Sequence, residues 1–128
     1  MSPTLKRVHQ IAQRADDLDR AVRFYRDTLG VPFIARFDPP GLAFFDLGNT
    51  RLLIEEAAPS ALLYLEVDDI EASCGSLAVA GVELVDEPHL IYRDDAGQFG
   101  PAGTEEWMAS FRDSEQNLLT LVERRTPA

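Results

Sequence analysis

The sequence predicts an α+β fold in which a four-stranded sheet with one helix behind it is built twice. The first observation is a phrase, Gln10-Ile11-Ala12-Gln13-Arg14-Ala15-Asp16-Asp17-Leu18, that returns as Leu62-Leu63-Tyr64-Leu65-Glu66-Val67-Asp68-Asp69-Ile70. An amphipathic stretch follows each copy and closes on Leu29-Gly30-Val31 or Ala80-Gly81-Val82. The second observation is how each copy ends, in a phenylalanine-bearing strand, a polar turn and an apolar strand. These are Phe44-Phe45-Asp46 to Leu52-Leu53-Ile54-Glu55, and Phe111-Arg112-Asp113 to Leu119-Thr120-Leu121-Val122. A repeat of about 50 residues is one supersecondary unit used more than once. Two copies are too few for a solenoid, so two like sheets are expected to cover each other or to enclose something.

The elements follow in order. Leu18, Ala21, Val22, Tyr25 and Leu29 fall on the stripe of a helix buried on one side, which Asp16 or Asp17 can cap and Gly30 can end. Ile70, Cys74, Leu77 and Ala78 make the second stripe, capped by Asp68 or Asp69 and closed by Gly81. Leu63, Leu65 and Val67 alternate with Leu62, Tyr64 and Glu66, as in a strand with one apolar face. Strands are expected near residues 8–15, 31–37, 42–47, 51–56, 61–67, 83–92, 105–111 and 118–123, giving βαβββ twice. Pro39-Pro40-Gly41 and Leu47-Gly48-Asn49 mark turns, and Ala57-Ala58-Pro59-Ser60 links the modules, 6–56 and 61–123. Asp94 to Thr104 is the longest candidate loop, either a flap with Phe99 at its tip or a surface loop.

A chain of 128 residues with 45% apolar content is expected to be a single globular domain, 1–128, with a core that needs no staples. Its net charge of −10 argues against a nucleic-acid partner. No run approaches the roughly 20 apolar residues of a membrane span, and the first residues lack a signal peptide's apolar region. No membrane partner is therefore expected, and the cytoplasm is the expected location. The lone Cys74 excludes an intrachain disulfide or a thiolate metal cluster and falls at core spacing on the second helix.

Asp17-Leu18-Asp19-Arg20-Ala21-Val22-Arg23-Phe24-Tyr25 through Leu29-Gly30, Val67-Asp68-Asp69-Ile70, and Phe111-Arg112-Asp113-Ser114-Glu115-Gln116-Asn117-Leu118-Leu119 together span nearly the whole chain. In these motifs the chain resembles the vicinal oxygen chelate superfamily, the group of glyoxalase I, methylmalonyl-CoA epimerase, extradiol dioxygenases and bleomycin-resistance proteins. The resemblance implies paired βαβββ modules curling into a half-open, eight-stranded cup. It also implies four metal-ligand positions, from the first and last strand of each module, which match Gln10, Glu55, Leu62 and Thr120. Leucine cannot ligate and a neutral hydroxyl poorly replaces a carboxylate, so no cofactor is expected at the usual positions. A register slip of one place would turn His9 inward instead of Gln10, and Glu123 with it.

Arg14 shares a strand face with Gln10, where glyoxalases hold an anionic part of the substrate; the alternative is a strand-end arginine or one paired with Glu66. Glu55 and His89 are the candidate general bases, and a divalent metal on His9, His89 and Glu55 is an unconventional alternative. Tyr64, Phe45 and Trp107 are candidate ligand-binding aromatics, with Gln10, Arg14 and Thr120 as polar contacts. Two functions follow. One is a homodimeric protein holding a small aromatic or cationic ligand without the usual metal. The other is a lyase- or isomerase-type enzyme on a small carbonyl or carboxylate metabolite, with Glu55 or a histidine as base and Gln10 and Arg14 orienting the substrate. Extradiol cleavage is not expected.

Overall fold

In the computed structural model, which describes residues 2–127, β1 (Gln10–Arg14) leads into α1 (Leu18–Arg23), which runs on as a π-helical turn over Phe24–Thr28. Strands β2 (Phe33–Phe37), β3 (Leu42–Asp46) and β4 (Arg51–Glu55) complete the first module. The second repeats the order with β5 (Leu63–Glu66), α2 (Ile70–Val79), β6 (His89–Asp94), β7 (Thr104–Arg112) and β8 (Leu118–Arg125). Each module is one four-stranded sheet, ordered β1-β4-β3-β2 or β5-β8-β7-β6, whose first strand joins parallel to its last. The chain divides into two compact units, Met1–Ala61 and Leu62–Ala128.

Both helices start on the aspartate that the repeat singles out. Asp17 accepts the Arg20 N–H at 3.1 Å, and Asp69 accepts the Ala72 N–H at 3.0 Å. Glu123 Oε1 takes a further first-turn donor, the Ile70 N–H, at 2.8 Å. Gly30 and Gly81 leave the helices at φ of 70° and 84°, in the left-handed region where a Cβ is costly.

Alternation along the paired strands gives each sheet a helix face and a distal face. Fully buried Tyr25 packs on Phe45 with ring centroids 6.0 Å apart, which puts Phe45 under α1. Register then places Leu52, Ile54, Ala43, Ile11 and Gln13 with Phe45, all on the helix face. In the second module Leu63, Leu65, Leu119, Leu121, Ala109 and Phe111 share the face on which Glu123 reaches α2. Phe45 and Phe111 sit at equivalent places with no exposed surface, each the centre of its module's core. Cys74 is buried at α2, and burial pushes its thiol up, as a small core residue requires.

Two elements depart from the sequence reading. Of the expected strand at 83–92, the first part keeps a single bridge, Leu84 opposite Phe111, and the strand proper runs only from His89. Before it, the Asp86 carboxylate accepts the Ser110 N–H at 2.6 Å, replacing the carbonyl a strand would offer, and Pro88 has no N–H to continue a ladder. The loop after Asp94 is held from inside: the buried Asp94 carboxylate accepts the N–H groups of Gln98 and Phe99, each at 2.8 Å. Those bonds hold its carboxyl below the usual carboxylate range.

Candidate functional site

The distal faces carry the chemistry, and the repeat shows which positions correspond. Ala12, five residues before the Asp17 cap, lies beside Leu53; Tyr64, five before the Asp69 cap, lies beside Thr120. The counterpart of Thr120 is therefore Leu53. Glu55 lies two residues further along β4, beside Arg14. This corrects the match of Glu55 to a ligand position. The four corresponding positions hold Gln10, Leu53, Leu62 and Thr120, without a carboxylate or an imidazole.

On the first sheet's distal face, Gln10 Oε1 accepts two bonds from Arg51, at 3.1 Å from Nε and 2.8 Å from Nη2. The Arg51 guanidinium lies 5.4 Å from the centre of the Phe44 ring, which meets Phe37 edge to face at 5.9 Å. The amide oxygen that could face a ligand is thus tied to an arginine. Arg14 makes an ion pair with Asp16, two residues on. Glu55 is half-buried at the end of β4, in a shallow hollow with Leu42 and Gly41.

On the second sheet's distal face, the hydroxyls of Thr120 and Ser110 are 2.9 Å apart and paired across β7 and β8. Tyr64 stands beside Thr120 and is 59% exposed. Leu62 precedes β5 on Tyr64's side by alternation and is also exposed. His89 lies opposite Met108 on this face, with Nδ1 2.8 Å from the Glu87 carbonyl. A carbonyl only accepts, so Nδ1 donates and the neutral ring keeps its lone pair on Nε2.

Two proposed ligand aromatics lie on the other side of their sheets. Phe45 is wholly buried under α1, because Ala43 and Phe45 alternate with Phe44. Trp107 pairs with Glu123 on the α2 face, where the Arg125 guanidinium stacks 4.2 Å from its ring centre and Glu105 accepts its indole N–H at 2.9 Å. Sequence reasoning missed Arg51 and Ser110. Both were within reach of a period-two count, from Glu55 along β4 and from Met108 along β7, once the faces are assigned.

The residues present do not fit the divalent cation that the resemblance implies. Gln10 is held by Arg51, Leu53 and Leu62 cannot ligate, and Thr120 is bonded to Ser110. His9 is exposed ahead of β1, while Glu55 lies beside Arg14 at the other end of the β1–β4 pair, roughly 16 Å along the strands. These two members of the alternative His9, His89 and Glu55 trio do not meet. Glu123, on the helix face, joins Asp69 and Glu71 in a carboxylate cluster, but Arg125 bonds both Glu123 and Glu71. Its hydrogen bonds with Arg125 hold Glu71 below the usual carboxylate range. An arginine already supplies the positive charge there. Among the described residues, no helix is long and apolar enough to cross a membrane.

Comparison with known proteins places this architecture. The uncharacterized protein YraH of Bacillus subtilis (strain 168) is 26% identical over 133 aligned positions, covering 88% of this chain and 94% of its own. TnmS3, an antibiotic binding protein from Streptomyces sp. CB03234, superposes with a TM-score of 0.76 at 20% identity, over 95% of this chain and 98% of its own. Lactoylglutathione lyase from Agrobacterium tumefaciens superposes with a TM-score of 0.71, also at 20% identity, over 94% and 96%. At such identity the likeness is one of fold, and fold alone does not assign chemistry. The model of the Glyoxalase/Bleomycin resistance protein/Dioxygenase superfamily matches residues 7–121, and the chain belongs to that superfamily.

Proposed function

We propose that the chain holds a small organic ligand, aromatic or cationic, on a sheet face turned away from its helix, without a divalent cation at the usual positions. The observation that carries this reading is the register: the four corresponding positions hold Gln10, Leu53, Leu62 and Thr120. Such a set offers hydrogen bonds and apolar surface, which suits an organic molecule better than a hard cation. Each sheet carries contacts of its own: Phe37 and Phe44 are flat ones on the first, and Tyr64 and Met108 flat or polarizable ones on the second. The polar contacts are Gln10 and Arg14 on the first sheet and the Ser110–Thr120 pair on the second. The net charge of −10 favours the approach of a cation over that of an anion.

The superfamily contains metal-assisted enzymes, and His89 supports a second reading. Its Nε2 lone pair lies on the distal face of β6, where it can take a proton beside a substrate carbonyl. Glu55 is the other candidate base. That reading lacks a cation to stabilise an enolate, and it stands second.

A cytoplasmic homodimer belongs to the same proposal. The edge strands β2 and β6 leave Ile34, Phe37, Leu90 and Ile91 in water, and a second copy would cover such edges. Calorimetric titration with aromatic and basic compounds, alongside metal analysis and sedimentation, tests the whole. Saturable heat without turnover, in a dimer free of stoichiometric metal, is the expected result. A divalent ion that co-purifies at one per chain, or product formation abolished by His89→Ala, overturns it.

A further inference from the structure

Tyr92, Glu106 and Arg124 stand in one row across β6, β7 and β8. The row lies on the distal face, four residues along β8 from Thr120, roughly 13 Å at ordinary strand rise. Arg124 Nε is 3.7 Å from Glu106 Oε2, beyond hydrogen-bond reach. Nε and Nη2 are both buried, and among the described residues neither has an acceptor. These two nitrogens form the edge of the guanidinium that a planar group engages side on. The loop after Asp94 lies against the guanidinium from its Nη side. Gly100 approaches so closely that a Cβ there would lie 3.2 Å from Nη2. From the same loop Phe99, 64% exposed, meets Tyr92 edge to face at 6.1 Å, and the Tyr92 hydroxyl reaches Gln98 at 3.4 Å.

Burying donors without acceptors is unfavourable, so this edge calls for a partner. Charge limits what the partner can be. Glu106 flanks Arg124, and Asp94 is close enough to feel its charge, so two carboxylates surround one guanidinium. An incoming carboxylate would meet repulsion from both. A neutral group that joins a carbonyl acceptor to an N–H donor meets none: its oxygen fits the Nε/Nη2 edge and its N–H fits Glu106. Tyr92 and Phe99 offer flat apolar contact for the rest of the molecule.

We propose that the Tyr92–Glu106–Arg124 row is a binding site for an uncharged carboxamide, lactam or ureide group carried on an aromatic body. The loop lifts at Gly97, Gly100 and Gly103, all at positive φ, to admit it. This site is independent of the ligand proposed above. The competing arrangement is internal: Glu106 swings onto the guanidinium edge and completes it without any ligand.

The test is a titration of the full chain with benzamide, followed by proton–nitrogen NMR of the Arg124 side chain and the Gly97 and Gly100 amides. Saturable shifts are expected for benzamide, with affinity for benzoate at least tenfold lower. Arg124→Gln and Glu106→Ala should each weaken benzamide at least tenfold. Arg124→Lys keeps the charge and the stem but not the edge, and should weaken it as much. Benzoate binding as tightly as benzamide, benzamide binding unchanged in Arg124→Lys, or no saturation in the native chain would each overturn the proposal. The last result would leave Glu106 as the partner.

Discussion

The side-chain amide of Gln13 closes a two-bond ring with the backbone of Ala61, donating from Nε2 to its carbonyl at 2.9 Å and accepting its N–H at 2.8 Å. Gln13 is fully buried, on the helix face of β1 beside Ile54. A buried amide tolerates that position because both ends of its dipole are met, here by the segment that leads into β5. Gln13→Leu should fill the space but leave the Ala61 N–H and carbonyl without partners. A loss of about 1–3 kcal/mol is expected in urea unfolding. Unchanged stability would mean that Ala61 finds water instead.

Phe45 and Tyr64 should separate cleanly. Phe45→Ala empties the centre of the first core and should cost about 3–5 kcal/mol, yet Phe45→Leu should leave ligand affinity within twofold. Tyr64, exposed beside Thr120, should behave the other way: Tyr64→Ala keeps stability and loses affinity. Calorimetric titration of Phe45→Leu and Tyr64→Ala, beside unfolding curves of all three variants, checks the pair. A tenfold affinity loss in Phe45→Leu would contradict the assignment of faces.

The cap-based repeat was legible in the sequence because Asp17 and Asp69 do the same local work, and short-range chemistry needs no knowledge of neighbours. The Leu63 and Leu65 face was legible for a similar reason, since alternation alone reveals it. The faces of Phe45 and Trp107 were not. Each depends on which way its strand enters the sheet, and for β7 that is set by the turn in which Asp113 accepts the N–H groups of Glu115 and Asn117. Glu55 was mismatched because Leu52-Leu53-Ile54 offers no alternation to count from. Only pairing with β1 shows that Leu53 stands where Thr120 does. Gln13 gave no sign of its buried place, because its partner lies 48 residues away.

Asp94 should make its loop sensitive to acid. The Phe99 and Gln98 N–H groups hold its carboxyl below the usual range in the folded chain. A carboxyl depressed on folding stabilises fully above its unfolded pKa, and that contribution fades as the pH falls through the lower folded value. The amide signals of Gln98 and Phe99 should therefore titrate together, below the ordinary aspartate range near 4. At neutral pH, Asp94→Asn should raise cleavage within 95–103 several-fold, and the difference from the native chain should vanish in strong acid. Amide signals that stay fixed between pH 6 and 2 would show that the carboxylate does not hold the loop.

The claim that the usual cation positions are emptied of donors can be tested by refilling them. Leu62, just ahead of β5, and Thr120, on β8, fall on the distal face of one module by alternation. Leu62→His with Thr120→Glu supplies an imidazole and a carboxylate, a set that zinc accepts. A ligand that binds only the folded state at 100 times its dissociation constant stabilises by about 2.7 kcal/mol. Millimolar zinc should therefore raise the Tm of the double variant, reversibly with chelator, and leave that of the native chain unmoved. Two donors make a weak site, so the shift should grow across the whole concentration range. If the native chain shifts equally, a donor set outside these four positions holds the ion, and the metal-free reading fails.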